Sequence, residues 1–414
     1  MRQQILLFIS LFFFYATSLV AQEYSILIKG GHVIDPKNNI NEVRDVAIQK
    51  DKVVLVSKNI DNKKAAKVID AQGLYVTPGL IDIHSHNFFG TKEDHYLGDG
   101  FEALPPDGFT FRSGVTTVVD AGGAGWRTFN TFKAQTIAHS KTRVLSFLNI
   151  VGEGMRGGVY EQNLNDMDSK LTAAVVKRHK EIVGIKVAHY EGAEWDPVDR
   201  AVAAGKIANV PVMIDFGGST PPLSIQELFT KHLRPGDIFT HTFAQLKSRM
   251  PVVDEQGKLH PFVVEAQKNG IIFDVGHGGG SFRFSQAVPA LKSGFFPNTI
   301  STDIHTGSMN GGMKTQLNVM SKFLNMGMNL QQVIQASTWA PAQVIHREEL
   351  GHISPGSVAD VAIFSLQKGK FGFIDSGGFS MQGTQSLQCE LTVREGNIVY
   401  DLNGISSPAW DAKP

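Results

Sequence analysis

Pro78-Gly79-Leu80-Ile81-Asp82-Ile83-His84-Ser85-His86 is the stretch from which the fold can be read. An apolar run passes straight into His-x-His. In a strand, residues i and i+2 point the same way, so His84 and His86 aim two imidazoles at one point beyond the strand's C-terminal end. Two neutral imidazoles suit Zn²⁺ and its neighbours. A His-x-His is short enough to occur without a metal. Its weight therefore depends on what the following strands carry.

Downstream, apolar runs recur roughly every 30 residues, the length of a βα unit. Counting from Leu80–Ile83, they are Val115–Val119, Val144–Leu148, Ile182–Val187, Val210–Ile214, Asp237–Thr240, Ile271–Val275 and Thr299–Thr302. Eight in succession predict a (β/α)8 TIM barrel over residues 79–354, in preference to an open doubly wound sheet. A helix is expected at Leu317–Leu324, where apolar residues recur at helical spacing. Short strands flank this zone. Before it come Ser25–Ile28, Val46–Ile48, Val53–Val56 and Val68–Ile69. After it come Val361–Phe364, Leu391–Val393 and Ile398–Tyr400. Residues 22–78 and 355–414 are expected to pair into one small β-sandwich domain built from both chain ends.

Most of the later strands end in a residue able to do chemistry. Lys186 lies inside the apolar Ile182–Val187, and Asp215 follows Val210–Ile214. His241 closes the sixth strand, His277 follows the seventh, and Asp303 follows the eighth. Any one of these is most simply a buried, hydrogen-bonded residue. Together, at the mouth where barrel active sites form, they are hard to treat as independent accidents. A buried lysine is costly unless it snorkels or pairs. Its alternative is reaction with CO2 to give an anionic carbamate able to bridge two metals.

Lys+Arg and Asp+Glu balance at 39 each, which gives no reason to expect nucleic acid or an anionic membrane as partner. Residues 1–21 read as a secretory signal peptide: Arg2, then the apolar run Ile5–Tyr15, then small and polar residues up to Ala21. Export to the periplasm or medium is expected, with no membrane association after cleavage. The single Cys389 excludes an internal disulfide and reads as a small core residue.

The chain resembles the amidohydrolase superfamily of metal-dependent hydrolases, in its deacetylase and dihydroorotase-like branch. Three stretches carry the resemblance: Gly30-Gly31-His32-Val33-Ile34-Asp35, the Pro78–His86 signature, and Pro355-Gly356-Ser357-Val358-Ala359-Asp360-Val361-Ala362-Ile363-Phe364. It implies that His84 and His86 bind one divalent metal, zinc by preference. Lys186, as N6-carboxylysine, bridges it to a second metal, which His241 binds. Asp303 binds the first metal and acts as general base, while His277 contacts substrate. One position departs from the pattern: Asp215 stands where the family usually has histidine. A carboxylate can still ligate zinc, so the number of metals, one or two, rests on this residue.

The implied activity is hydrolysis of an amide, preferably of an N-acyl amino acid or similar small acylated acid. Arg283 and Arg156 are the candidates for gripping a substrate carboxylate. An esterase, lactonase or cyclic amidase would use the same site. The alternative from another class is a non-catalytic exported binding protein. A homo-oligomer is compatible with the sequence.

Overall fold

The computed structural model describes residues 22–89, 103–215, 222–247 and 249–411. The expected signal segment lies outside them. Five strands open the chain: β1 (Tyr24–Asp35), β2 (Ile40–Gln49), β3 (Lys52–Ser57), β4 (Ala65–Asp70) and β5 (Tyr75–Pro78). β1 pairs antiparallel with β2 on one side. On its other side it pairs parallel with β4 and then with β5. The change of partner coincides with a bulge between Ile28 and Gly31. Gly30 there has φ +70°, and a Cβ on Gly31 would lie 2.4 Å from Val76 Cγ2. Glycine is thus needed for both the turn and the close approach.

Seven parallel strands follow, each bonded to the next: β6 (Leu80–Ser85), β7 (Val115–Gly125), β8 (Arg143–Asn149), β9 (Ile182–Val187), β10 (Val212–Ile214), β11 (Ile238–Phe239) and β12 (Ile272–Phe273). Helices connect most of them. Ser169–Arg178 starts at Asp168, whose carboxylate accepts from the Lys170 and Leu171 amides, and it buries Thr172, Ala173 and Val176 on one face. Asp196–Ala208 carries Pro197 in its first turn and ends at Asn209 in the left-handed conformation. The expected helix near Leu317–Leu324 is present as Gln316–Asn325.

The expected eighth strand is not a ladder strand. Residues 299–304 instead join both edges of the curled sheet through isolated parallel bridges, Asp274 to Thr299 and Ser85 to Ile304. The backbone turns at Asp303, where φ is +52°, and further backbone bonds run to both edges: the Thr299 and Thr302 carbonyls accept from the Val275 and Gly278 amides, and the Asp303 amide donates to the His84 carbonyl. Asp82 of β6 ties the segment down. Its carboxylate accepts from the Thr302 amide at 3.0 Å and the Thr302 hydroxyl at 2.5 Å, and burial pushes it up to about 7.

The chain closes with β13 (Val361–Ile374), β14 (Ser380–Arg394) and β15 (Asn397–Asp401). β13 pairs antiparallel with β5, so both chain ends contribute to one β unit. The hydrogen bonds make it one continuous eight-stranded sheet, because β5 pairs with β1 and β13 at once. Ile28, Val46, Ile69, Val361 and Leu391 share its apolar core. No helix of the described residues is long and apolar enough to cross a membrane.

Candidate metal centre

Six side chains from five places along the parallel sheet meet at one end of it. His84 and His86 close β6, Lys186 lies in β9, Asp215 follows β10, His241 follows β11, and Asp303 lies in the bridging segment. Asp303 Oδ1 is 3.4 Å from His84 Nε2 and 2.9 Å from His86 Nε2. Asp215 Oδ2 is 3.1 Å from His241 Nε2 and 3.6 Å from Lys186 Nζ. Lys186 Nζ is 3.2 Å from His84 Nε2, which puts it between the two groups. Every one of the six is buried.

The surrounding network fixes which imidazole nitrogen faces inward. Thr240 gives its hydroxyl proton to Asp274 at 2.7 Å, so the His84 Nδ1–H donates to Thr240 at 2.9 Å. His241 Nδ1–H donates to the Gly276 carbonyl at 2.6 Å. In His84 this assignment leaves Nε2 as the lone-pair atom toward the centre, whereas His241 Nε2 faces Asp215 Oδ2 at 3.1 Å, where a bound cation would take the place of its proton. Two glycines permit the approach. A Cβ on Gly278, at φ +52°, would lie 2.2 Å from Asp303 Oδ2, and one on Gly276, at φ +45°, would lie 2.4 Å from Thr240 Oγ1.

Charge supports the same arrangement. Burial, and then the Lys186 ammonium, depress His84 to about 3, so its ring is neutral. Burial opposes ionisation of Asp303, but His84, His86 and His241 outweigh it and hold the carboxyl below its ordinary range. Burial likewise opposes ionisation of Asp215, and His241 and Lys186 outweigh it. Two sets of ligand atoms, from His84, His86 and Asp303 and from His84, Asp215 and His241, each lie within 4.8 Å of one another. This mixed nitrogen and carboxylate set fits a divalent cation of the zinc kind.

Three expected residues are placed differently. His277 is fully buried and stacks on Phe282, with ring centroids 4.4 Å apart. Its Nε2 accepts from Lys322 Nζ at 2.7 Å, and its Nδ1 is 3.0 Å from the Gly278 carbonyl. Both nitrogens therefore face protein rather than substrate. Arg156 pairs with Glu153 at 3.1 Å and lies over the Tyr160 ring. Arg283 lines a neighbouring cavity of about 950 Å³.

The centre opens into a cavity of about 300 Å³ lined by His86, Asp215, His241, Asp303, His189 and His305, together with Leu246 and the Gly279–Ser281 loop. Neither arginine is among these described residues; Leu246 is common to this cavity and the one that holds Arg283. His189 and His305 escaped the sequence reading, as did the supporting Thr240, Asp274 and Glu161. The available signal was position: His189 lies three residues past Lys186, and His305 two past Asp303.

The profile of the Amidohydrolase family matches residues 284–399. A deacetylase of Brucella anthropi is 32% identical over 343 residues, covering 81% of this chain and 82% of that protein. A deacetylase of Enterococcus faecalis is 29% identical, covering 92% of this chain and all of its own. Among solved structures, an adenine deaminase superposes with TM-score 0.82 at 28% identity, covering 92% of this chain and 100% of that one. A dihydroorotase gives 0.79 at 28%, covering 91% and 99%. With this breadth of similarity, and with the signature histidines, lysine and aspartate meeting at one end of the parallel sheet, the chain belongs to the amidohydrolase family, as a hydrolase of carbon–nitrogen bonds other than peptide bonds.

Proposed function

We propose that the protein is an exported deacetylase-type amidohydrolase that cleaves the amide of a small N-acylated acid, an N-acyl amino acid being the preferred class. The observation that carries this reading is the convergence of His84, His86, Lys186, Asp215, His241 and Asp303 beside a cavity of about 300 Å³. That volume is at the lower end for small-molecule sites, so it favours a compact substrate. The relatives named as deacetylases support the acyl-transfer sense of the reaction. The family generally uses a divalent metal. In this reading His84, His86 and Asp303 would hold one divalent cation, zinc by preference, Asp215 and His241 would hold a second, and Lys186, as N6-carboxylysine, would complete the ligand set. The whole assembly acts on a free small molecule, in the periplasm or medium.

A cation at these ligands supplies a Lewis acid that polarises the scissile carbonyl and acidifies the attacking water. The protein does the rest. Asp303 takes the proton from that water and passes it to the leaving nitrogen, which departs as an amine. His84 and His241 are held as neutral donors by Thr240 and the Gly276 carbonyl. Arg283 stands in the adjoining cavity, where the carboxylate of a longer acid would reach it.

The test is a panel of N-acyl amino acids, cyclic amides, lactones and simple esters, run before and after chelation and zinc resupply. Hydrolysis of N-acyl amino acids that chelation abolishes and zinc restores is the expected result. Turnover confined to esters or lactones would replace the amide assignment. A protein that takes up no metal and turns over nothing would return it to the binding-protein class.

A further inference from the structure

We propose that His189 is a ligand of the metal held at Asp215 and His241, oriented for that role by the carboxylate of Glu161. This rests on the metal-hydrolase reading above. His189 leaves β9 three residues after Lys186 and lines the same cavity as Asp215 and His241. Its Nε2 is 3.8 Å from Asp215 Oδ2. That oxygen is thereby faced by three nitrogens, of His241, Lys186 and His189, at 3.1, 3.6 and 3.8 Å.

The other side of the ring is fixed. Nδ1 lies 3.2 and 3.4 Å from the two oxygens of Glu161, a carboxylate that is itself 1% exposed. A metal-binding histidine characteristically gives its second N–H to a carboxylate, which sets the tautomer and aims the free nitrogen at the ion. The backbone is committed as well. His189 has φ +53°, a conformation that non-glycine residues adopt at a cost and that concentrates at functional sites. Its amide donates to the Asp215 carbonyl at 3.3 Å, and its carbonyl accepts from Gln162 Nε2 at 2.8 Å. Those bonds lock the ring beside the residue with which it would share the ion.

Asp215, His241 and a carboxylated Lys186 would supply three protein donors to the second ion; His189 would be a fourth, leaving a fifth position for water, and zinc in catalytic sites expands to five ligands. A neutral imidazole adds the fourth without adding to the negative charge of Asp215, Asp303 and the carbamate.

The experiment is titration of chelator-stripped protein with Co²⁺, read by its visible absorption and by elemental analysis. It uses wild type, His189→Ala, His189→Gln, Glu161→Gln and His86→Ala, each checked for native circular dichroism. Wild type should bind about two ions. Both His189 variants should keep one and lose the other, or bind it at least about tenfold more weakly, and Glu161→Gln should weaken it by about 10- to 100-fold. Wild-type stoichiometry, midpoint and spectrum in both His189 variants would overturn the assignment, leaving His189 only the ion-pair partner of Glu161. So would a single wild-type ion that is lost in His86→Ala but not in His189→Ala. Wild type that binds no Co²⁺ would fail the hydrolase reading itself, and the ligand with it.

Discussion

Lys186 Nζ lies 3.6 Å from Asp215 Oδ2, with the lysine wholly inaccessible to solvent. An ammonium buried there has a loosely placed carboxylate and the His84 ring for company, at 3.2 Å. Reaction of the neutral amine with CO2, with loss of a proton, would replace that cation by an anion able to reach both ligand groups. Protein reconstituted with ¹³C-bicarbonate and zinc should show a labelled carbamate carbon by NMR, absent in Lys186→Gln. The same variant should bind less than half the wild-type metal and lose activity by at least about 1000-fold. Full metal loading in Lys186→Gln would remove the lysine from the ligand set.

Asp303 is the only one of the six residues to which the mechanism gives two tasks, and they separate by substitution. Asn keeps one oxygen toward His84 and His86 but cannot take up a proton. Asp303→Asn should retain most of the first ion by elemental analysis while turnover falls by about 100- to 10,000-fold, the usual worth of a positioned acid–base group. Near-normal turnover would assign the proton transfer elsewhere, and His305 at the cavity wall would be the next residue to vary.

How legible all this was depended on how strongly each piece announces itself along the chain. The parallel sheet was readable because β6 to β9 are short, largely apolar runs, which strands buried on both faces produce. The eighth strand read equally well as Thr299–Thr302, yet it joins the two edges by isolated bridges and separate backbone bonds, an irregularity that composition does not reveal. Only the inner ends of the β13–β14 hairpin were recognised. Its outer part is polar, exposed at Gln367–Lys370 and at Gln382 and Thr384, and has little apolar alternation to detect. The residues that meet at the candidate centre were singled out by their place at strand ends. His277 closes a strand too, but its ring turns back to Lys322, and side-chain direction after a glycine-flanked turn is not encoded in spacing. His189 was overlooked because it lies two residues beyond Val187, where β9 ends, and is itself left-handed.

The hydroxyl behind His84 offers a test of orientation apart from chemistry. Thr240 accepts from His84 Nδ1 and donates to Asp274, and Asp274 also accepts from Thr299 and Ser301. Thr240→Val keeps the shape but removes the acceptor, so the His84 tautomer is no longer fixed. Metal affinity at the His84 and His86 site should fall by about 10- to 100-fold, with the fold intact by circular dichroism. Unchanged affinity would mean that packing alone orients the ring.

Lys322 gives a prediction on stability that the metal does not touch. It is fully buried, donates to His277 Nε2 at 2.7 Å and to the Gly312 carbonyl at 2.6 Å, and burial lowers it from its ordinary 10.5 to about 7. For a base depressed on folding, both states are protonated below pH 7 and both are neutral above 10.5. Between those limits the unfolded chain holds a proton that the folded one lacks, so stability rises with pH across that window. At about 1.4 kcal/mol for each pH step of one, the rise is on the order of a few kcal/mol. Lys322→Met removes the titrating group. Urea midpoints of wild type and variant should therefore converge, or shift in favour of wild type, as pH goes from 7 to 10. Curves that stay parallel would show that Lys322 keeps its proton in the folded protein, held there by groups such as Asp375.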